Sequence, residues 1–341
     1  MLSIFTVSLL SVLKIFLVCI AGTILAHRGI INRDFRQRLS QLILHLLLPC
    51  LLISKLSVSA NLQNLRQWGV LPFVALVYIA MGMLLGKLAI LICRPPENQK
   101  RLITAAMGFG NSGYVPYPLI MTIAATAPLF QNMPDAANLG IAYISVYLIS
   151  MSPCLWGIGY PYLANKPFGH LRLSQLISPP VISVLCGITI GVVTPLRQLM
   201  VGTEAPLGIF LSTADLIGQA AIPSALLILG ANLADARNKT KTVAKKTLCA
   251  IGAGRLIVMP LLGCALTVVL YRTGLIPRNP MCALVLMVEA AVPPATNLVV
   301  MCQLHGKGEG AMSKMLIWSY IAAIPTLTLF VAFFLWLAGN L

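Results

Sequence analysis

Acidic residues are scarce in this chain. Only 8 Asp and Glu stand against 24 Lys and Arg, and the four charged types together make up 9% of the 341 residues. A soluble domain carries about 25% charge, so a water-exposed globule is excluded. No two acids fall close together, which leaves no paired-carboxylate ion site and no paired-aspartate protease. The zinc motif HExxH is also absent and no catalytic pair stands out, so an enzyme is not expected. Nine cysteines are scattered without a CxxC pair, which argues against both a zinc site and a disulfide framework. They read as small core or lipid-facing residues. Nothing calls for a cofactor or a metal. No basic run is interleaved with aromatics, so the formal charge of +16 does not describe a nucleic-acid binder.

What remains is apolar. Hydrophobic residues make up 58% of the chain, and its mean hydropathy is +0.90. A membrane span needs about 20 mostly apolar residues. Ten such stretches are predicted: 3–26, 36–56, 70–92, 102–127, 139–163, 177–195, 208–234, 247–271, 280–303 and 312–338. The first is too long for a signal-peptide core and lacks a basic start. The fold class expected is therefore an all-α multi-pass membrane protein. The loops after spans 1, 3, 5, 7 and 9 hold sixteen Lys and Arg. The opposite side holds five: Lys55, Arg66, Arg197, Arg272 and Arg278. Positive loops stay in the cytoplasm, so both termini are expected on the non-cytoplasmic side. The sequon Asn238-Lys239-Thr240 then falls on the cytoplasmic side, unused.

The chain repeats itself. Pro49 of span 2 and Pro223 of span 7 are 174 residues apart; Pro118 of span 4 and Pro294 of span 9 are 176 apart. Five spans is an odd number, so a second copy enters from the opposite face. This predicts two inverted five-helix repeats, 1–163 and 177–341. The sharpest landmarks are two interruptions of otherwise apolar spans. GFGNSGYVPYPLIMT (108–122) holds three glycines and two prolines, and EAAVPPATN (289–297) holds a proline pair. Both weaken or break a helix. In lipid an interrupted helix persists only inside protein or beside a watery cavity. Two of them in matching halves point to a transporter's substrate site.

The pieces GFGNSGYVPYPL (108–119), ISPPVISVLCGITIGVV (177–193), LILGANL (227–233) and EAAVPPATNLVVMCQLHG (289–306) occur in an order that resembles the auxin efflux carrier family. The link 164–176 is short, similar to the PIN-like, short-loop type or its bacterial permease relatives. The resemblance implies a fold like that of bile-acid symporters and sodium/proton antiporters, with helices 4 and 9 broken and crossing. Helices 1, 2, 6 and 7 would form a scaffold, usually a homodimer, and helices 3–5 and 8–10 a transport domain. It implies elevator-type transport of organic anions, auxin among them. It also assigns Asn111 to the substrate site. A proton- or sodium-coupled dicarboxylate permease, malonate-like, is the alternative. The membrane expected is the plasma or inner membrane, with the endoplasmic reticulum second.

Residue chemistry adds to this. Proline suits the first turn of a helix, so second half-helices are expected to begin near Pro116 and Pro118 and near Pro293 and Pro294. Their N-termini would offer positive partial charge and N–H groups to a carboxylate. Asn111 can donate to an anion, or it can merely cap the kink. Thr296 and Asn297 can line the same cavity from the other repeat, or cap the second half of span 9. Tyr114 and Tyr117 can stack on an aromatic substrate or simply fill the core. Ionisable groups inside spans are functional by default; here they are Lys14, His45, Asp215, Arg255 and Glu289. Lys14 reads as a snorkelling or paired side chain, and the next three as ambiguous. Glu289 sits four residues before Pro293, where the plant carriers it resembles tend to have glutamine. That marks it as a proton-coupling candidate. The competing reading is a structural ion pair with Arg255 or Lys14.

Overall fold

The structure is a computed structural model and describes residues 2–133, 135–165, 178–202, 204–238 and 243–341. The predicted loop charges at Lys166, Arg172, Lys239 and Lys241, and the sequon threonine Thr240, lie outside the described residues. All regular structure among the described residues is helical; one isolated β-bridge joins Gly110 to Pro294. Seven helices are long and apolar enough to cross a membrane, or eight if one sharply bent pair counts as a span. These are predicted spans 1, 2, 3, 5, 7, 8 and 10. The other three predicted spans, 4, 6 and 9, are each broken.

Span 1 is α1 (Leu2–His27). Span 2 is α2 (Arg33–Leu42) running through a π turn into α3 (Leu48–Ser59). The short α4 (Leu62–Trp68) leads into span 3, α5 (Val70–Cys93). Span 4 is split into α6 (Glu97–Gly108) and α7 (Pro116–Thr126). Span 5 is α8 (Ala136–Cys154), a π turn and α9 (Tyr160–Ala164). Span 6, predicted straight over 177–195, is α10 (Pro179–Val192) followed by α11 (Thr194–Met200), bent by 96°. Span 7 is α12 (Gly208–Gly218) and α13 (Ala221–Asn238); span 8 is α14 (Lys245–Ala253), a π turn and α15 (Met259–Arg272). Span 9 is split into α16 (Pro280–Ala291) and α17 (Asn297–His305), and α18 (Glu309–Ala338) is span 10.

The π turns have a cause in the sequence. Ile43–Leu47, Leu155–Gly159 and Gly254–Val258 each end two residues before a proline: Pro49, Pro161 and Pro260. Proline cannot donate to the preceding turn and clashes with its carbonyl. Widening that turn relieves the clash without breaking the span.

Packing is helix on helix. Without a hydrophobic drive inside lipid, close backbone approach matters most. α1 lies against α13, where Gly22 faces the Leu227 backbone and Gly230 faces that of Cys19. A Cβ at either glycine would overlap main-chain atoms. The approach also lets Thr23 Oγ1 donate to the Gly230 carbonyl at 2.9 Å. α3 packs against α10 and α12. α5 packs on α6 and α8, while α16 is enclosed by α7, α8, α15 and α18. Every residue of α16 from Met281 to Ala291 is buried. That explains why this half-helix is apolar all round and why Glu289 is out of place in it.

Candidate functional site: a cavity where two broken helices meet

The two interruptions touch. α6 stops at Gly108 and α16 at Ala291, and the chain beyond each turns extended at Phe109 and Val292. These extended segments pair with each other. Asn111 N–H donates to the Pro293 carbonyl at 2.8 Å, and Ala295 N–H donates to that of Phe109 at 2.9 Å. Backbone groups freed by breaking one helix are thus satisfied by the other, as a lipid environment requires.

Arg255 closes the crossing from behind. Its side chain is 3% exposed. Nε donates to the Val292 carbonyl at 2.9 Å and Nη1 to the Met107 carbonyl at 3.2 Å. Those carbonyls sit at the C-terminal ends of the two first half-helices, where negative partial charge accumulates. One guanidinium therefore serves both ends. Gly110 passes against it so closely that a Cβ would overlap Nη2. The ambiguous Arg255 of the sequence is thus a clamp on the crossover.

In front of the crossing lies a cavity of about 150 Å³. Of the predicted site residues, Asn111, Tyr114, Thr296 and Asn297 stand on its wall, as do Ser112 and Tyr117. Pro116, Pro118, Pro293 and Pro294 are not on the wall; they are buried behind it and shape the backbone that carries the others. α7 begins at Pro116 as expected. The other half-helix begins later than expected: α17 starts at Asn297, and Pro293 and Pro294 form the extended crossing strand instead. The two N-termini consequently differ. On α7 the prolines lack N–H groups, and those of Tyr114 and Tyr117 are taken by Asn111 Oδ1 and the Gly113 carbonyl. On α17 the N–H groups of Thr296 and Asn297 have no acceptor among the described residues, and both residues line the cavity.

Asn111 is both cap and lining. Oδ1 accepts from Tyr114 N–H at 3.1 Å, and Nδ2 donates to the Tyr320 hydroxyl. Tyr320 OH in turn donates to the Pro294 carbonyl at 3.3 Å. This residue of α18 ties the amide to both crossing strands, and nothing in its apolar sequence surroundings singled it out. Tyr117 OH lies 3.0 Å from Ser145 Oγ, which holds its ring on the wall.

The inner cavity shares Tyr114, Thr296 and Asn297 with a vestibule of about 1020 Å³. Arg33, Arg36, Gln41, Asn232, Gln303 and Glu309 line that vestibule. Arg36 Nη1 donates to the Ala231 carbonyl at 3.1 Å, and Gln303 Nε2 to Glu309 Oε1 at 2.9 Å. The vestibule lining carries Arg33 and Arg36 with Glu309, whereas the inner cavity is lined by polar uncharged groups set among a larger apolar surface.

The remaining ionisable groups sort themselves. Asp215 pairs with Lys55 at 2.6 Å and also accepts from Ser54 and Gln219, so it braces α3 against α12 at the break in span 7. Lys14 is exposed on α1. His45 lies 2.9 Å from the Gln41 carbonyl, on an exposed face. Glu289 is 1% exposed, and neither carboxylate oxygen has a hydrogen-bond partner among the described residues. No ion pair joins it to Arg255 or Lys14 among the described residues.

The model of a family described as membrane transport protein matches residues 7–331. PIN-LIKES 3 of Arabidopsis thaliana is 25% identical, with 99% of each chain covered. PIN-LIKES 1 of the same plant is 27% identical over 99% of this chain and 81% of its own. An uncharacterized transporter of Schizosaccharomyces pombe is 23% identical over 94% of this chain and 93% of its own.

Proposed function

Because the chain belongs to the membrane transport protein family, that of the auxin efflux carriers its motifs resemble, we propose that it is a secondary transporter of organic anions. The anion binds in the cavity at the crossover. Its carboxylate meets Asn111 and the open N–H groups of Thr296 and Asn297, and its apolar body lies against Tyr114, Tyr117, Leu48 and Leu52. Neutral donors at a helix N-terminus hold a carboxylate without burying a second charge. Arg33 and Arg36 at the vestibule mouth concentrate anions ahead of the site.

The chain then works as two inverted five-helix repeats, 1–163 and 177–341, with ten spans. The helices of spans 1, 2, 6 and 7 form the scaffold, which dimerises; the others carry the crossover past it in an elevator movement. Helix packing supports this division: α1 with α13, and α3 with α10 and α12, on one side; α5, α6, α8, α15 and α16 on the other. With both termini on the non-cytoplasmic face, the vestibule opens to the cytoplasm.

The observation that carries this reading is the backbone pairing of the two breaks beside a cavity lined by both polar and apolar groups. The dicarboxylate alternative is less well served, since no Lys or Arg among the described residues lines the inner cavity to meet a second carboxylate. Uptake of labelled indole-3-acetate and of malonate into proteoliposomes separates them. The aromatic monocarboxylate is expected to enter and malonate to be excluded; the reverse result overturns the substrate class.

A further inference from the structure

Glu289 lies three residues before Val292, on a half-helix whose residues from Met281 to Ala291 are all buried. A charged carboxylate buried without partners is very unfavourable. The groups facing it come from several of the elements around α16. Arg255 comes from the π turn before α15, Tyr78 from α5, Tyr117 from α7, Tyr147 from α8, and the Ser112 hydroxyl from the crossing strand. Tyr78 OH is already committed to α15 and α16, within 3.3 Å of the Gly263 and Leu286 carbonyls and of Thr267 Oγ1. Tyr117 OH is committed to Ser145. Arg255 is committed to the Val292 and Met107 carbonyls. That leaves Tyr147 and Ser112, and the Ser112 Oγ is also buried without a hydrogen-bond partner among the described residues. Ser112 stands on the cavity wall and neighbours Glu289. An unpartnered acid therefore lies one hydroxyl behind the anion cavity, beside a buried cation occupied elsewhere.

We propose that Glu289 is a proton-binding site linked to the anion site, so that one proton is bound with each anion. This rests on the reading of the cavity as an anion site. The proton passes from cavity water by way of the Ser112 hydroxyl to a Glu289 oxygen, converting carboxylate to carboxylic acid, with no other bond made or broken. The charge balance sets the direction. With Glu289 neutral, the buried cluster carries the single positive charge of Arg255, which favours an anion in front of it. With Glu289 ionised the cluster is neutral overall. The carboxylate then competes for the guanidinium that clamps Val292 and Met107, which loosens the crossing strand that presents Asn111. Each ligand therefore raises the affinity for the other by the same factor.

The test uses the purified full chain in weakly buffered detergent solution with a pH indicator. Indole-3-acetate is added, and both anion binding and proton uptake are read. Wild-type protein is expected to take up close to one proton per anion bound on the alkaline side of the Glu289 transition. There its affinity falls tenfold per pH unit. Glu289→Gln, which has the shape of the protonated acid, is expected to bind the anion with an affinity independent of pH and with no proton uptake. Ser112→Ala slows proton uptake and leaves its stoichiometry unchanged. Wild-type binding without proton uptake overturns the inference and leaves the anion site standing, as does a Glu289→Gln protein that still takes up one proton. Absence of anion binding in the wild type overturns the anion site itself, and the proton linkage with it.

Discussion

The main-chain N–H of Asn111 donates to the carbonyl of Pro293 at 2.8 Å, across 182 positions of sequence. A residue from the break in one half of the chain is held by a residue from the break in the other. The cavity-facing amide therefore takes its position from both halves at once. A disturbance of either strand reaches the cavity.

Gly110 is the tightest point of that crossing. A Cβ there would overlap the Arg255 guanidinium and press on Val292. Overpacking of this kind destabilises by about 1–3 kcal/mol. Gly110→Ala is expected to lower the thermal unfolding midpoint of the purified protein and to abolish uptake. Gly113→Ala is the control, since nothing lies within 4 Å of its Cβ position; its unfolding midpoint is expected to match wild type. Equal midpoints for the two variants would contradict the clamp.

Arg255 satisfies two carbonyls with one planar group. Lysine cannot reproduce that fork. Arg255→Met leaves the Val292 and Met107 carbonyls buried and unpaired, at about 1–3 kcal/mol each. It is expected to unfold at lower temperature than Arg255→Lys, which in turn unfolds below wild type. A methionine variant as stable as wild type would show that the carbonyls find other partners.

Tyr320 supplies a hydroxyl to both Asn111 and Pro294. Tyr320→Phe keeps the ring and removes that link. A neutral hydrogen bond contributes about 0.5–1.5 kcal/mol, so affinity for indole-3-acetate is expected to fall about two- to tenfold. Unchanged affinity would remove Tyr320 from the support of the site.

Topology is tested at Thr240, in the most polar loop, which lies outside the described residues. With both termini external, a cysteine placed there on a cysteine-free background is expected to resist an impermeant reagent in intact cells and to react after permeabilisation. Strong labelling of intact cells would reverse the orientation.

Much of this was legible in the sequence, for physical reasons. Apolar length marks spans, and the glycine and proline clusters at 108–118 and 293–294 mark where helices fail. Those signals are local. The pairing of the breaks is not, because no local pattern states which strand receives a freed N–H. The proline pair illustrates the limit. Proline opens a helix readily, yet Pro293 and Pro294 are drawn into the extended crossing strand by the bond Pro293's carbonyl accepts from Asn111 N–H and the bond Ala295 N–H donates to the Phe109 carbonyl. Arg255 looked ambiguous because its partners are backbone carbonyls, which no side-chain pattern reveals. Tyr320 was invisible for the same reason, one aromatic in an apolar helix. The π turns, by contrast, could have been read from Pro49, Pro161 and Pro260.

The central claim is that the crossover cavity holds the carboxylate through Asn111. Equilibrium binding of labelled indole-3-acetate to purified wild-type and Asn111→Ala protein tests it most directly, with thermal unfolding measured on the same samples. A hydrogen bond to a charged group contributes about 1.5–3 kcal/mol. The account predicts an affinity about ten- to a hundredfold weaker in the variant, with the protein still folded. Wild-type affinity in a folded Asn111→Ala protein would contradict it.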